Sequence, residues 1–429
     1  VSRLQVFANE KALGWFGFEA GDYFFEYNDA WLSAPEAYAL SPVFPLGQQR
    51  VTGPSVKFFF KNLLPEGQIL EALSIEEGVA LDNLLEFFAR LGRDCPGVLS
   101  LLPEGQSPIL EQHWEVLTRD DLRQRIAARA RRPLIKSRDD ASMSLAGAQD
   151  KMGVRYDPGT PQLWEPVGGA PSTHILKPEN RNPAFVPTVI NEYLCMRLAK
   201  RMKLPVPNVY LERLPEPVLI VERYDREVRS GHVTSDVPGP KEMVSGYVTC
   251  LHQIDFCQLL NKDSFFKYER NGNLVGLKEI FDQTKLFQTP GPARLHLVDW
   301  VIFNYLIGNA DAHAKNLSVL VTPQGLELAP FYDLLSVVPY GDERLALFIG
   351  YAETFDAVTS VAWQEFCEDC QLSYPAFKKR LEFFCKRLPA AWKAEVDGVK
   401  GMLELEEALV AKITNCMDRF VGHALEAAS

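Results

Sequence analysis

The stretch Gly308-Asn309-Ala310-Asp311-Ala312-His313-Ala314-Lys315-Asn316 decides how the chain is read. The residues before it, Leu297 to Ile307, are apolar nearly all round, which predicts a buried helix. Gly308 is a natural stop for that helix. A loop dense in Asp, His, Lys and Asn directly after a buried helix is unusual, because polar groups near a core must be paired or in use. Next come Leu317 to Val321, the turn Thr322-Pro323-Gln324-Gly325, and Leu326 to Asp333. This reads as strand, turn, strand. If Val321 faces Leu326, Asn316 lies near Phe331 and Asp333 falls beside the 311–316 loop.

The hairpin therefore gathers Asp311, Asn316 and Asp333. Two carboxylates and an amide oxygen suit Mg²⁺, which prefers oxygen ligands and completes its shell with water and phosphate. Asp-x4-Asn is also the spacing of the Asp and Asn in the protein-kinase catalytic loop, and Asp333 would take the place of the second metal-binding Asp. The plainer alternative is an Asx-rich turn that caps the helix.

Three upstream elements fit the same chemistry. In Ser172-Thr173-His174-Ile175-Leu176-Lys177-Pro178, a lysine ends a short apolar strand. A helix is predicted over 188–202. Its Glu192 sits among Val189, Cys195, Met196 and Ala199, so a cation must meet it or it must reach the surface. Lys177 is the nearest upstream candidate, and a strand Lys paired to a helix Glu is how kinases hold the lysine that binds phosphates. Ser144-Leu145-Ala146-Gly147-Ala148-Gln149-Asp150-Lys151 is a small-residue loop whose backbone N–H groups could approach phosphate. Val218 to Tyr224 is an apolar strand with a polar end, as a hinge between lobes requires, where backbone groups could pair with adenine. Taken alone, each has an ordinary structural reading.

These segments together resemble the HipA family of bacterial toxin kinases. SLAGAQDK, HILKPE, NEYLCMRLAK, VERYDR, GNADAHAKN and LAPFYDLLS stand in the family's order. FFKNLLPEG (59–67) and GRDCPG (92–97) look like its leading subdomain. The resemblance implies an α+β, protein-kinase-like two-lobed fold with an extra β-rich N-terminal subdomain and an all-α C-terminal lobe. Its parts would span residues 1–137, 138–248 and 249–429. Asp311 would be the catalytic base, and Asn316 and Asp333 the Mg²⁺ ligands. Lys177 would hold ATP phosphates, paired with Glu192. Ala146, Gly147, Ala148, Gln149, Asp150 and Lys151 would form the phosphate loop. Glu222, Arg223 and Tyr224 would form the hinge, with His313 and Lys315 contacting nucleotide. Ser144 would be autophosphorylated, which adds roughly -1.5 to -2 charges where ATP phosphates bind. Further implications are an aminoacyl-tRNA synthetase as protein substrate, notably the glutamyl enzyme, and a HipB-like helix-turn-helix antitoxin. The polar stretch Arg226 to Val248 departs from the family pattern in its length.

Composition bounds the partners. The 429 residues are 47% hydrophobic and 24% charged, ordinary globular values. Lys+Arg is 45 and Asp+Glu 56, a net charge of -11. That argues against unaided, non-specific nucleic-acid binding, so DNA would be reached through the antitoxin. The local exception is a basic run, Arg123, Arg125, Arg129, Arg131, Arg132, Lys136 and Arg138. It reads either as a phosphate or acidic-partner contact or as a solvated helix face running into a linker at Pro133.

No apolar run is long enough to span a membrane, and the N-terminal residues lack the apolar core of a signal peptide. Eight scattered cysteines suit a reducing, cytoplasmic setting. Cys367 and Cys370 read as helix residues rather than a zinc or redox pair. A helix is also expected from about Ile75, started by a Ser74/Glu77 capping box. After Leu251 the chain should be helical apart from the 317–331 hairpin. Two other function classes remain in view: a co-repressor module with a dead kinase site, bound to a DNA-binding antitoxin, and a small-molecule phosphotransferase.

Overall fold

A computed structural model of the chain describes residues 2–109, 111–129, 134, 149–214, 216–229 and 247–427. The chain folds into two compact units, each discontinuous in sequence. The first comprises Val1–Leu40, Phe44–Leu176 and Glu222–Gln253; the second comprises Ser41–Val43, Lys177–Val221 and Ile254–Ser429. The boundary expected at 137 falls outside the described residues.

The first unit opens with the three expected strands, Arg3–Ala8, Lys11–Glu19 and Asp22–Tyr27. They join Arg50–Thr52 and Leu99–Pro103 in a five-stranded sheet with Arg3–Ala8 between Lys11–Glu19 and Leu99–Pro103. The face of this sheet is aromatic: Phe16 stacks on Phe60 at 3.9 Å, and Phe25 and Phe88 pack around them. Burying each such side chain stabilises the fold by about 1.5–3 kcal/mol. A second antiparallel set pairs His113–Val116 with Gln162–Val167, then Met152–Asp157, then the start of His174–Pro178. Arg226–Arg229 pairs with Tyr247–Cys250, closing the ends of the long polar stretch.

One helix is placed differently from expectation. It spans Gly67–Glu77, and the next begins at Leu84 with Asn83 as its cap. Ser74 is no N-cap: it lies in the last turn and its hydroxyl donates to Val79 O at 2.6 Å, just where Gly78 (φ 64°) ends the helix. The Ser74/Glu77 spacing imitated a cap because both residues lie on the outgoing turn of an earlier helix.

In the second unit the apolar helix runs Pro290–Ile307, buried continuously from Leu297 to Ile307. Its one internal carboxylate, Asp299, takes a two-pronged bond from Arg380 with both N···O at 2.6 Å. Gly308 ends the helix in the left-handed region at φ 69°. A side chain there would put Cβ 2.7 Å from Cys416 Sγ, so space as well as backbone demands glycine. The long helices Tyr374–Asp397 and Glu404–Ala427 complete this core, where Tyr305 packs between Trp363 and Phe420.

The hairpin after the loop is Ser318–Thr322 against Gly325–Leu328, with Val321 opposite Leu326. The expectation of a single hairpin in this half is corrected. Arg344–Ile349 and Ala352–Thr354 form another, around an apolar run whose turn is Gly350-Tyr351. All eight cysteines are free, and Cys367 and Cys370 are buried at the end of the Ser360–Asp369 helix. Among the described residues, no helix is long and apolar enough to cross a membrane.

Candidate phosphotransfer site

The 309–316 loop is shaped largely by its own amides. Asn309 Nδ2 donates to Asn304 Oδ1 at 2.7 Å, and Asn309 Oδ1 accepts from the Asp311 N–H at 3.1 Å. Asn316 Nδ2 donates to Asp311 O at 2.9 Å, which ties the two ends of the Asp-x4-Asn segment together. With Nδ2 used inward, the oxygen of the Asn316 amide is the atom left to face a cation. The Asp311 side chain is 44% exposed, so its carboxylate is open to a reactant.

Lys177 and Glu192 meet as their positions in the sequence suggested. The ammonium lies 2.7 Å from Glu192 Oε1, and both side chains are 5% exposed. The same ammonium also bonds Asp333 Oδ1, a contact the sequence reading did not anticipate. Burial alone would lower the Lys177 pKa, but the Asp333 and Glu192 carboxylates outweigh it and raise it, so the lysine stays charged. Asp333 itself sits at φ 53°, a left-handed backbone for a non-glycine residue, with a 30% exposed side chain. Such geometry is costly and is held here by its surroundings. On the adjoining segment, Ser336 N–H donates to Asn191 Oδ1 at 2.9 Å and Asn191 Nδ2 donates to Ser336 O at 2.7 Å.

Among the described residues, no group of three or more His, Cys, Asp or Glu side chains forms a metal cage. The candidate donors are the amide oxygen of Asn316, a buried residue of the 309–316 loop, and the Asp333 carboxylate, 30% exposed on the segment after the hairpin. That fits Mg²⁺, which is bound through one or two carboxylates plus water and phosphate rather than by a closed protein shell.

The other expected site residues divide by location. His313 is buried in the loop with its Nε2 3.9 Å from Asp311 Oδ1. Lys315 is buried too, and its ammonium is 2.7 Å from Asp255 Oδ2, so its charge is committed within the protein. In the first unit, the Arg223 N–H donates to Thr173 O at 2.9 Å. Its guanidinium is buried on Asp225 and Ser172. Arg223 thus fastens the end of the Pro217–Glu222 strand. Gln149, Asp150 and Lys151 are described; Ser144, Ala146, Gly147 and Ala148 lie outside the described residues, as does most of the basic run beyond Arg129.

Two residues beside the loop were missed: Tyr268, whose hydroxyl donates to Asp311 Oδ1, and Asp255, the partner of Lys315. Tyr268 stands in no periodic or motif-like segment, and Asp255 opens a capping box with Gln258, a pattern that marks a helix start and not a partner for Lys315. The signal available was only that a buried Lys315 needs an acid.

Residues 4–102 match the family described as HipA N-terminal domain, and residues 143–392 match that described as HipA-like C-terminal domain. The chain is 34% identical to a Sinorhizobium fredii protein named "Putative kinase Y4mE", over 84% of each chain. It is 29% identical to the serine/threonine-protein kinase toxin HipA of Shewanella oneidensis, over 90% of this chain and 88% of that one. The solved structure of Shewanella oneidensis HipA, in a complex with HipB and operator DNA, superposes with a TM-score of 0.83 at 27% identity, covering 99% of both chains. The α+β kinase-like fold is thereby shown, and the chain belongs to the HipA family.

Proposed function

We propose that the chain is the toxin of a toxin–antitoxin pair: an ATP- and Mg²⁺-dependent serine/threonine protein kinase. The observation that carries this is the buried Lys177–Glu192 pair sharing its ammonium with Asp333, on the same unit as the tied Asp311–Asn316 loop. A charged lysine held in place by two acids is suited to gripping phosphate oxygens. A half-exposed Asp311 is suited to taking a proton from a substrate hydroxyl. When bound, Mg²⁺ would neutralise charge on the phosphates, held by Asn316 and Asp333. Catalysis here is positioning and electrostatics rather than covalent chemistry.

The target we propose is an aminoacyl-tRNA synthetase, the glutamyl enzyme first, with arrest of translation and growth as the result. The partner we propose is a HipB-like helix-turn-helix protein that carries this acidic chain to operator DNA, in the cytoplasm and at the nucleoid. The name and structure of the Shewanella oneidensis relative support both the toxin and the antitoxin parts. Autophosphorylation of Ser144 would repel ATP phosphates and switch the enzyme off.

The experiment is incubation with Mg²⁺ and γ-labelled ATP, alone and with cell lysate, followed by mass spectrometry. Phosphate on Ser144 and on a synthetase is expected, and Ser144→Ala should abolish the first while ATP still binds. Undiminished self-labelling of Ser144→Ala removes the Ser144 assignment. A chain that binds Mg-ATP but transfers no phosphate to any protein points instead to a co-repressor module.

A further inference from the structure

A catalytic base must present one oxygen to a substrate hydroxyl within about 2.6–3.2 Å. Asp311 stands on a loop and is 44% exposed, and an exposed carboxylate samples several rotamers unless something pins it. His313 Nε2, at 3.9 Å, is beyond hydrogen-bond reach. Tyr268 does reach it: the phenol hydroxyl donates to Asp311 Oδ1.

Tyr268 is itself firmly held. It joins the short 3-10 turns Ser264–Lys267 and Glu269–Asn271. Its ring meets the His313 ring edge-on, with centroids 5.0 Å apart and planes at 88°. The Arg270 guanidinium lies over it at 4.2 Å from the ring centre. On one side of the turn Asn271 Nδ2 donates to Phe265 O at 2.7 Å; on the other, Glu269 Oε2 accepts from the Phe348 N–H at 2.6 Å. A phenol fixed this way hands its rigidity to whatever it bonds.

We infer that Tyr268 is a positioning residue for phosphoryl transfer. Its hydroxyl anchors the Asp311 carboxylate through Oδ1 and so aims Oδ2 at the substrate hydroxyl, while the phenol keeps its own proton. The inference rests on the reading of Asp311 as the base. A rival role for the same contact is a block, in which the phenol stands where the substrate hydroxyl belongs; the two predict opposite signs when the oxygen is removed.

Tyr268→Phe removes the oxygen and keeps the ring with its His313 and Arg270 contacts. The test measures label incorporated into the full chain itself from Mg²⁺ and γ-labelled ATP, as a function of ATP concentration, for wild type, Tyr268→Phe and Asp311→Asn. The expected result for Tyr268→Phe is a maximal rate lower by about tenfold, at an unchanged half-saturating ATP concentration and melting temperature. A maximal rate that is unchanged or faster overturns the role, as does a rise only in half-saturating ATP or a fall accompanied by lost thermal stability. A wild-type chain that transfers label neither to itself nor to any protein of a cell lysate, or an Asp311→Asn chain that keeps full incorporation, defeats the kinase reading itself. That outcome is separate from equal rates for wild type and Tyr268→Phe.

Discussion

Lys177 and Glu192 form an ion pair at 2.7 Å with both side chains 95% out of solvent, the lysine on a strand and the glutamate in the first turn of a helix. Breaking a buried pair by removing one partner costs about 3–5 kcal/mol when the survivor is left alone. Here Asp333 remains on Lys177, so the loss is smaller. Glu192→Gln should cost about 2 kcal/mol and weaken ATP binding, because Asp333 alone then holds the ammonium. Thermal unfolding and calorimetric ATP titration check both; unchanged values in each contradict the pairing's role.

Asp333 has two expected duties, a bond to Lys177 and a ligand oxygen for Mg²⁺. Asp333→Asn keeps the shape and an oxygen but removes the charge that holds a hard cation. Phosphate transfer by this variant should fall by at least about a hundredfold and need far more Mg²⁺ for what remains. Titration of transfer rate against Mg²⁺ reads this directly. A normal Mg²⁺ curve would move the metal away from Asp333. Asn316→Ala should shift the same curve in the same direction.

Glu269 gives the fold a pH dependence that can be isolated. Burial pushes its carboxyl up to about 7 from the usual 4.5, and the Glu279, Asp369 and Glu353 carboxylates add to this, while the Phe348 N–H opposes it. Between about 4.5 and about 7 the folded chain therefore binds more protons here than the unfolded chain does. The stability Glu269 contributes is fully present below about 4.5 and is lost as pH rises through about 7. Glu269→Gln, which can still accept from Phe348, should flatten the fall in melting temperature from pH 5 to pH 7.5. An unaltered slope in the variant rules Glu269 out as its source.

The parts of the site legible in the sequence are those where a local rule leaves few choices. A glutamate on the apolar face of the 189–201 helix must find a cation or reach the surface, and Lys177 meets it. The Thr-Pro-Gln-Gly turn between apolar runs fixed the hairpin, and Val321 does face Leu326. The misses are contacts between segments distant in sequence: Tyr268 on Asp311, Asp255 on Lys315 and Lys177 on Asp333. Short 3-10 turns such as 264–271 carry no periodicity from which their neighbours could be read. The early helix was misplaced because the Ser74/Glu77 spacing also occurs near a helix end, where Gly78 is the stronger signal.

The most direct measurement compares wild type with Asp311→Gln for phosphate transfer from γ-labelled ATP in the presence of Mg²⁺, alongside calorimetric ATP affinity. The account predicts transfer by wild type, loss of at least about a hundredfold in the variant, and similar ATP affinity for both. Full transfer by Asp311→Gln would contradict it.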